Sequence, residues 1–296
     1  MITNLSIGHC GRLGNQIFQY AILKCISLKH GYKIVLPKEN IDNITVGRFN
    51  PSINDVDKYR LDLLDCFEIP DEVQNIEQIK NKIHFQYSEN FTMDYNPFLI
   101  SDAKDNTDYN GFFQCVQYYY EFENEIKNCL KIKSNIQLCV NAYFDKIKKE
   151  FNVNKIITLH VRRGDLSLDN GKYQVLLSPQ YYKKIINNLR EEKTLFLLMS
   201  DDLKWCKQNF QDTNIKFCDI SEIYTDIPAH ILDFCVLLNG DKIIMSNSSF
   251  SWWAAWLSNA EEIYCPNRWF GTEYVNFHEN NMRHNKWINI QYEGLP

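Results

Sequence analysis

The residues best suited to chemistry are His160-Val161-Arg162-Arg163-Gly164-Asp165, directly after the apolar run Ile156-Ile157-Thr158-Leu159. A short β-branched run that breaks into two arginines and a glycine predicts a buried parallel strand opening into a polar loop. Ligands of open α/β sheets bind at such carboxyl ends. Guanidinium forks match phosphate oxygens two at a time, so this loop suits a ligand with several negative oxygens. The competing reading is a salt-bridged loop in which Asp165 neutralises one arginine.

Two further strand ends carry polar groups. After Ile243-Ile244-Met245 the chain runs Ser246-Asn247-Ser248-Ser249-Phe250-Ser251-Trp252-Trp253. There a strand delivers a hydroxyl-rich turn to a helix start, where unpaired N–H groups and the helix dipole favour an anion. One hydroxyl suffices to cap a helix, and this run holds more. Trp252, Trp253 and Trp256 read as core. The third end is Ser200-Asp201-Asp202 after Leu197-Leu198-Met199. One of its aspartates could accept from a ribose hydroxyl or the amine edge of a guanine, or simply cap the next helix. Three polar ends on one sheet, one of them cationic, predict a nucleotide site.

Gly11-Arg12-Leu13-Gly14-Asn15-Gln16 lies between the first strand and the first helix. It is not the G-x-G-x-x-G of a dinucleotide loop, and no acid ends the next strand, which argues against an NAD enzyme. Asn15 and Gln16 are candidates to face a polar ligand from the acceptor side. Asp55-Val56-Asp57 has the D-x-D form of a metal-held nucleotide-sugar site, but it sits in polar loop sequence with no preceding strand. The histidines form no metal-ligand pair at helical spacing, so no catalytic metal and no cofactor are expected.

These groups are positioned by alternating elements. Strands are predicted at 156–161, 195–199, 216–218, 242–245 and 262–265, with helices at 179–190, 202–210, 229–239 and 250–259 between them. Such alternation implies right-handed crossovers and a parallel sheet covered on both faces. The first half opens with a strand at 2–7, a helix at 15–30 and a strand at 33–36. Loops and short helices are expected over 38–110, then a strand at 110–114 and helices at 121–130 and 136–151. The domain boundary falls near 150, giving Rossmann-like domains at 1–150 and 151–296.

Bulk properties narrow the function. The chain has 296 residues, enough for about two domains. A net charge of −5 argues against a nucleic-acid binder, so an anionic ligand needs a local positive patch. The 18 Phe and 17 Tyr suit stacking on carbohydrate as well as core packing. Ten cysteines without a C-x-x-C pair speak against a zinc ribbon and fit reduced thiols in a cytoplasm. The opening residues lack the basic and long apolar regions of a signal peptide, and no apolar run has membrane-spanning length.

Together these motifs resemble the bacterial α-1,2-fucosyltransferases, glycosyltransferase family 11. The resemblance rests on G-R-L-G-N-Q-I-F-Q-Y-A at 11–21, G-F-F-Q at 111–114, H-V-R-R-G-D at 160–165, S-D-D at 200–202 and S-N-S-S-F-S-W-W-A-A-W-L at 246–257. It implies an α/β fold of GT-B type, two Rossmann-like domains facing across a cleft. It also implies inverting, metal-independent transfer of L-fucose from GDP-β-L-fucose to O2 of a terminal galactose. By that resemblance Arg162 grips the donor β-phosphate, while His160 and an aspartate among Asp201 and Asp202 lie near the guanine. Ser248, Ser249 and Phe250 then line the diphosphate, with Arg163, Ser200 and Asn247 beside them. Asp165 is the first choice for the base that helps the galactose hydroxyl, its alternative role being to orient Arg163. The acceptor would be a galactose-ended glycan, such as a lipid-linked polysaccharide intermediate at the inner face of a membrane. The same donor motifs leave open another GDP-sugar or linkage, or a silent nucleotide-sugar binder.

Overall fold

In the computed structural model, residues 1–38, 60–90, 93–219 and 226–292 are described. Asp55 and Asp57 lie outside them. The chain forms two compact units, Met1–Lys131 with Asn280–Arg283, and Ile132–Glu279 with His284–Pro296. No helix among the described residues is long and apolar enough to cross a membrane.

The first unit runs β1 (Ile2–Thr3), α1 (Leu13–His30), β2 (Val35–Lys38), α2 (Asp62–Cys66), β3 (Glu72–Asn75), α3 (Ile76–Lys80), β4 (Phe85–Ser88), α4 (Phe98–Ser101), β5 (Thr107–Asn110) and α5 (Glu123–Cys129). All strand pairings are parallel: β3 with β2, and β1 with β5 with β4, the two groups joined by a bridge between Ile2 and Ile34. The resulting order, 3-2-1-5-4, departs from the Rossmann order at its last two strands. Helix α1 is amphipathic only weakly because it is buried almost all round, from Leu13 to Ile26. It stops at Gly31, whose φ of +74° forms a left-handed C-cap.

Several expectations for this unit fail for local reasons. The predicted strand at 2–7 stops at Thr3, because the Asn4 side chain accepts from the Ser6 N–H (3.0 Å) and bends the chain into a turn. Strand β5 ends where a strand at 110–114 was expected to begin. There Phe112 and Phe113 donate their N–H groups to the Glu89 carboxylate instead (2.8 and 2.7 Å), and Phe113 is left-handed. Strands β3 and β4 lie inside the stretch expected as loops. Glu72-Val73-Gln74-Asn75 is half-buried, and Phe85-Gln86-Tyr87-Ser88 is largely exposed, so neither shows a buried-strand pattern.

The second unit follows the sequence reading closely. Its elements are α6 (Ser134–Phe151), β6 (Lys155–Val161), α7 (Pro179–Leu189), β7 (Thr194–Ser200), α8 (Leu203–Asn209), β8 (Ile215–Phe217), α9 (Ala229–Leu238), β9 (Lys242–Ile244), α10 (Ser249–Leu257), β10 (Glu262–Pro266) and β11 (Ile288–Ile290). All six strands are parallel, in the spatial order β11-β10-β9-β6-β7-β8. Numbered within the unit this is 6-5-4-1-2-3, the Rossmann order, and its switch point lies between β6 and β9. Ile157, Leu159, Phe196 and Leu198 bury one face of the sheet under Tyr182, Ile185 and Ile186 of α7. Trp252, Trp253 and Trp256 of α10 are all buried, so they pack as core.

The unit boundary is a correction. It falls between Lys131 and Ile132, not near 150, because α6 packs on the second unit's α9. Gln137 of α6 donates to the Asn239 side chain at the end of α9 (3.0 Å).

Candidate active site

Strand β6 pairs with β7 up to Val161 and Ser200, so Arg162 and Asp201 leave the sheet side by side. Arg162 is thereby placed between two carboxylates: Nη2 donates to Asp165 and Nη1 to Asp201. The other Asp201 oxygen accepts the Arg163 N–H (2.8 Å). Gly164 makes this possible, since a methyl group there would lie 2.5 Å from Asp201 Oδ2. Arg163 turns the other way. Its guanidinium lies 3.8 Å from the centre of the Trp205 ring, with Nε donating to Asp202 (3.3 Å). Asp202 also caps α8 through the Trp205 N–H (3.0 Å), and the Ser200 hydroxyl accepts from the Asp202 N–H (3.0 Å).

These contacts correct the expected pairing. Asp165 orients Arg162, not Arg163, because the loop folds into a 3-10 turn at Asp165–Ser167 that brings its carboxylate back over Arg162. Asp201 and Asp202 are engaged by the two arginines and a helix cap. The result is a guanidinium held in place with 17% of its side chain exposed, ready to meet an anion.

Across the switch point, His160 of β6 faces Ser246, the second residue beyond β9. Its Nδ1 lies 2.9 Å from Ser246 Oγ, and its ring packs 5.1 Å from the Phe250 ring. Burial pushes the imidazole down to about 4; the nearby Asp201 charge opposes this shift and Arg162 adds to it. His160 is therefore a neutral, buried spacer between the two strand ends.

The turn into α10 divides its labour. Ser248 caps the helix, accepting from the Phe250 N–H (3.2 Å). The hydroxyl of Ser251 donates back to the Ser246 carbonyl (2.9 Å). Asn247 is fully buried, its amide donating to the carbonyls of Val175 (2.7 Å) and Trp269 (3.0 Å). The amide nitrogen thus staples two loops, while Oδ1 is buried without a hydrogen-bond partner. Ser248 and Ser249 remain half-exposed at the helix start.

A cavity of about 540 Å³ opens beside the ends of β7 and β8, lined by Ser200, Lys207, Lys216, Phe217, Cys218 and Asp233 among others. Burial raises the Asp233 carboxyl to about 6, against the lowering effects of Cys218 and His230. Sequence reasoning missed Asp233 because it sits mid-helix in α9, where no strand-end pattern marks it. Ser246 was also missed, although it stands in the recognised motif.

In the first unit, Gln16 is another correction. It is buried, with Nε2 donating to the Arg60 carbonyl (2.8 Å) and Oε1 accepting from the Leu63 N–H (3.1 Å). It ties α2 to α1. Asn15 is half-buried and accepts from Gln114 of the G-F-F-Q segment (2.9 Å). Gly11, at φ +87°, lets the loop turn over the Asn15 side chain.

A Rossmann-ordered sheet with a tethered arginine and a capped helix start at its switch point defines an α/β protein with a site suited to an anionic ligand. Residues 2–291 match Glycosyl transferase family 11, and the chain belongs to that family. It is 25% identical to an alpha-1,2-colitosyltransferase of Escherichia coli, over 95% of this chain and 97% of that one. It is 22% identical to galactoside alpha-(1,2)-fucosyltransferase 1 of Oryctolagus cuniculus, over 87% of this chain and 65% of the rabbit protein, slightly less than two thirds of its length. Among solved structures, NodZ alpha-1,6-fucosyltransferase soaked with GDP-fucose aligns over 87% of this chain and 90% of its own, at 15% identity and a TM-score of 0.49.

Proposed function

We propose that this glycosyltransferase moves L-fucose from GDP-β-L-fucose to O2 of a terminal galactose, with inversion and without a metal ion. The observation that carries this reading is Arg162, fixed by Asp165 and Asp201 at the switch point of the Rossmann-ordered sheet. As the galactose oxygen bonds to the fucose C1, the bond from C1 to the β-phosphate oxygen breaks and its electron pair leaves with GDP. Arg162 and the start of α10 hold that growing charge as preorganised donors. Asp165, spent on Arg162, serves as its positioning partner. The base that takes the galactose proton is left unassigned.

In this reading the cavity beside β7 and β8 would receive the nucleobase, with Asp233 accepting from the amine edge of guanine. A family relative that matches nearly end to end bears a colitosyl name, which supports a second reading with another 6-deoxy sugar on the same GDP. The galactose would be the outer sugar of a longer lipid-linked glycan, with the enzyme at the inner membrane face.

The deciding experiment measures GDP release from GDP-fucose with and without lactose, repeated in EDTA. Lactose-stimulated, chelator-resistant release supports the proposal. GDP binding without release from GDP-fucose, but release from GDP-colitose, favours the second reading. Loss of activity in EDTA overturns the metal-free mechanism.

A further inference from the structure

Two loops leave the carboxyl edge of the second unit's sheet beside the arginine site, one after β6 and one after β10. They are sewn to each other along their length. Gln174 and Phe270 form an antiparallel bridge, the Gly271 N–H donates to the Tyr173 carbonyl (2.9 Å), and the Glu273 N–H donates to the Lys172 carbonyl (3.0 Å). Gly271 permits this approach: a methyl group there would lie 2.1 Å from the Gly171 carbonyl oxygen and 2.3 Å from that of Lys172. The Asn247 amide then pins both loops to the turn that opens α10. What these loops carry is thus fixed relative to the leaving-group site.

They carry aromatic rings. Phe270 is buried, and Tyr274 and Phe277 pack edge-on against it at 6.0 and 5.1 Å. Tyr274 and Phe277 stack on each other at 4.2 Å, and Tyr173 leans on Tyr274 at 5.3 Å. Tyr173 is 45% exposed, and the neighbouring Val275 is 70% exposed. Here the outermost ring is half open and polar side chains such as Lys172 and Glu273 alternate with the apolar ones. The charged side chains on these loops are mixed in sign, with Asp169 and Glu273 beside Lys172. That disfavours an anionic lipid surface, which needs clustered Lys or Arg. Apolar ring faces bordered by hydrogen-bonding groups suit a pyranose instead, whose C–H face stacks while its hydroxyls reach the polar rim.

We infer that Tyr173 and Tyr274 form a platform for the acceptor glycan, holding a sugar beyond the terminal disaccharide. This rests on the glycosyl-transfer reading above and adds where the rest of the acceptor lies. The enzyme would then prefer a galactose-ended tetrasaccharide to lactose, because only the longer glycan reaches the platform.

The test compares the wild type with Tyr173→Ala, Tyr274→Ala and Tyr274→Phe, using lactose and a galactose-ended tetrasaccharide as acceptors. Saturation-transfer NMR of the tetrasaccharide with GDP present gives a readout independent of turnover. The expected result is a KM for the tetrasaccharide about tenfold higher in both alanine variants, comparable to the loss of one aromatic contact. Lactose kinetics and GDP affinity should stay within about twofold, and Tyr274→Phe should keep the preference. Equal tetrasaccharide-to-lactose ratios in all four proteins would overturn the platform. So would a parallel fall with both acceptors, which marks a structural role. If no galactoside triggers GDP release, yet the tetrasaccharide shows NMR contact that Tyr173→Ala removes, the transfer reading fails and the platform stands. Absence of both signals overturns both.

Discussion

Arg162 is the residue on which turnover should depend most. It meets the leaving group with two carboxylates already satisfying its inner N–H groups, so little reorganisation accompanies charge development. Arg162→Ala should lower kcat/KM by about 10²- to 10³-fold, as for loss of one oxyanion donor, with GDP release as the readout. Gly164→Ala tests the support separately. Its methyl group would push Asp201 off Arg162, so kcat should fall while the melting temperature holds. A drop in stability equal to the drop in rate would refute that separation. His160 makes a pH prediction. Its proton affinity is lowered in the folded state to about 4, against an ordinary value of 6.5. The unfolded chain therefore binds the extra proton first as pH falls. Stability from this group should be complete above about pH 6.5 and lost progressively toward pH 4, a slope that urea unfolding of His160→Phe should show flattened.

At the scale of elements, the site depends on how strands end and helices begin. Asp202 both caps α8 and pairs with Arg163. Asp202→Ala should cost about 1 kcal/mol from the cap alone, more with the lost ion pair, measurable by denaturant midpoint. Gly271→Ala places a methyl group against backbone carbonyls that cannot rotate away. Overpacking of that kind costs on the order of 1–3 kcal/mol. Because Asn247 pins the same loops to α10, the variant should also weaken GDP binding. If GDP affinity is unchanged in Gly271→Ala, the loops and the α10 turn are mechanically independent.

For the whole molecule, the second unit's strand order places the arginine loop, the α10 turn and the Asp233 cavity on one edge of a single sheet. GDP bound there should stabilise the protein by about 2.7 kcal/mol at a hundredfold excess over its Kd. Thermal unfolding should show the shift with GDP and a much smaller one with ADP or UDP. Asp233→Asn should narrow that difference, since an amide no longer presents two acceptors to the guanine edge. Equal shifts for all three nucleotides would remove Asp233 from base recognition.

The amino-acid sequence alone determined the second unit through β10 and missed only the half-exposed edge strand β11. Its central strands are apolar, Asp202 and Ser248 cap α8 and α10 through their side chains, and Ser178 with Pro179 opens α7. These are short-range signals, and they are clearest in β6 and β7, which are buried almost throughout. The first unit was less legible because β3 and β4 are short, polar and paired at sheet edges, where no hydrophobic period forms. Only the tertiary structure decided which carboxylate each arginine takes. Asp165 is three residues from Arg162 and Asp201 is on the next strand, and proximity along the chain does not rank them. Only it decided that Gln16 and the Asn247 amide nitrogen are taken by backbone groups while Asp233 reaches a cavity from the middle of a helix. Residue type states what a side chain can bond to, and packing states which partner is within reach.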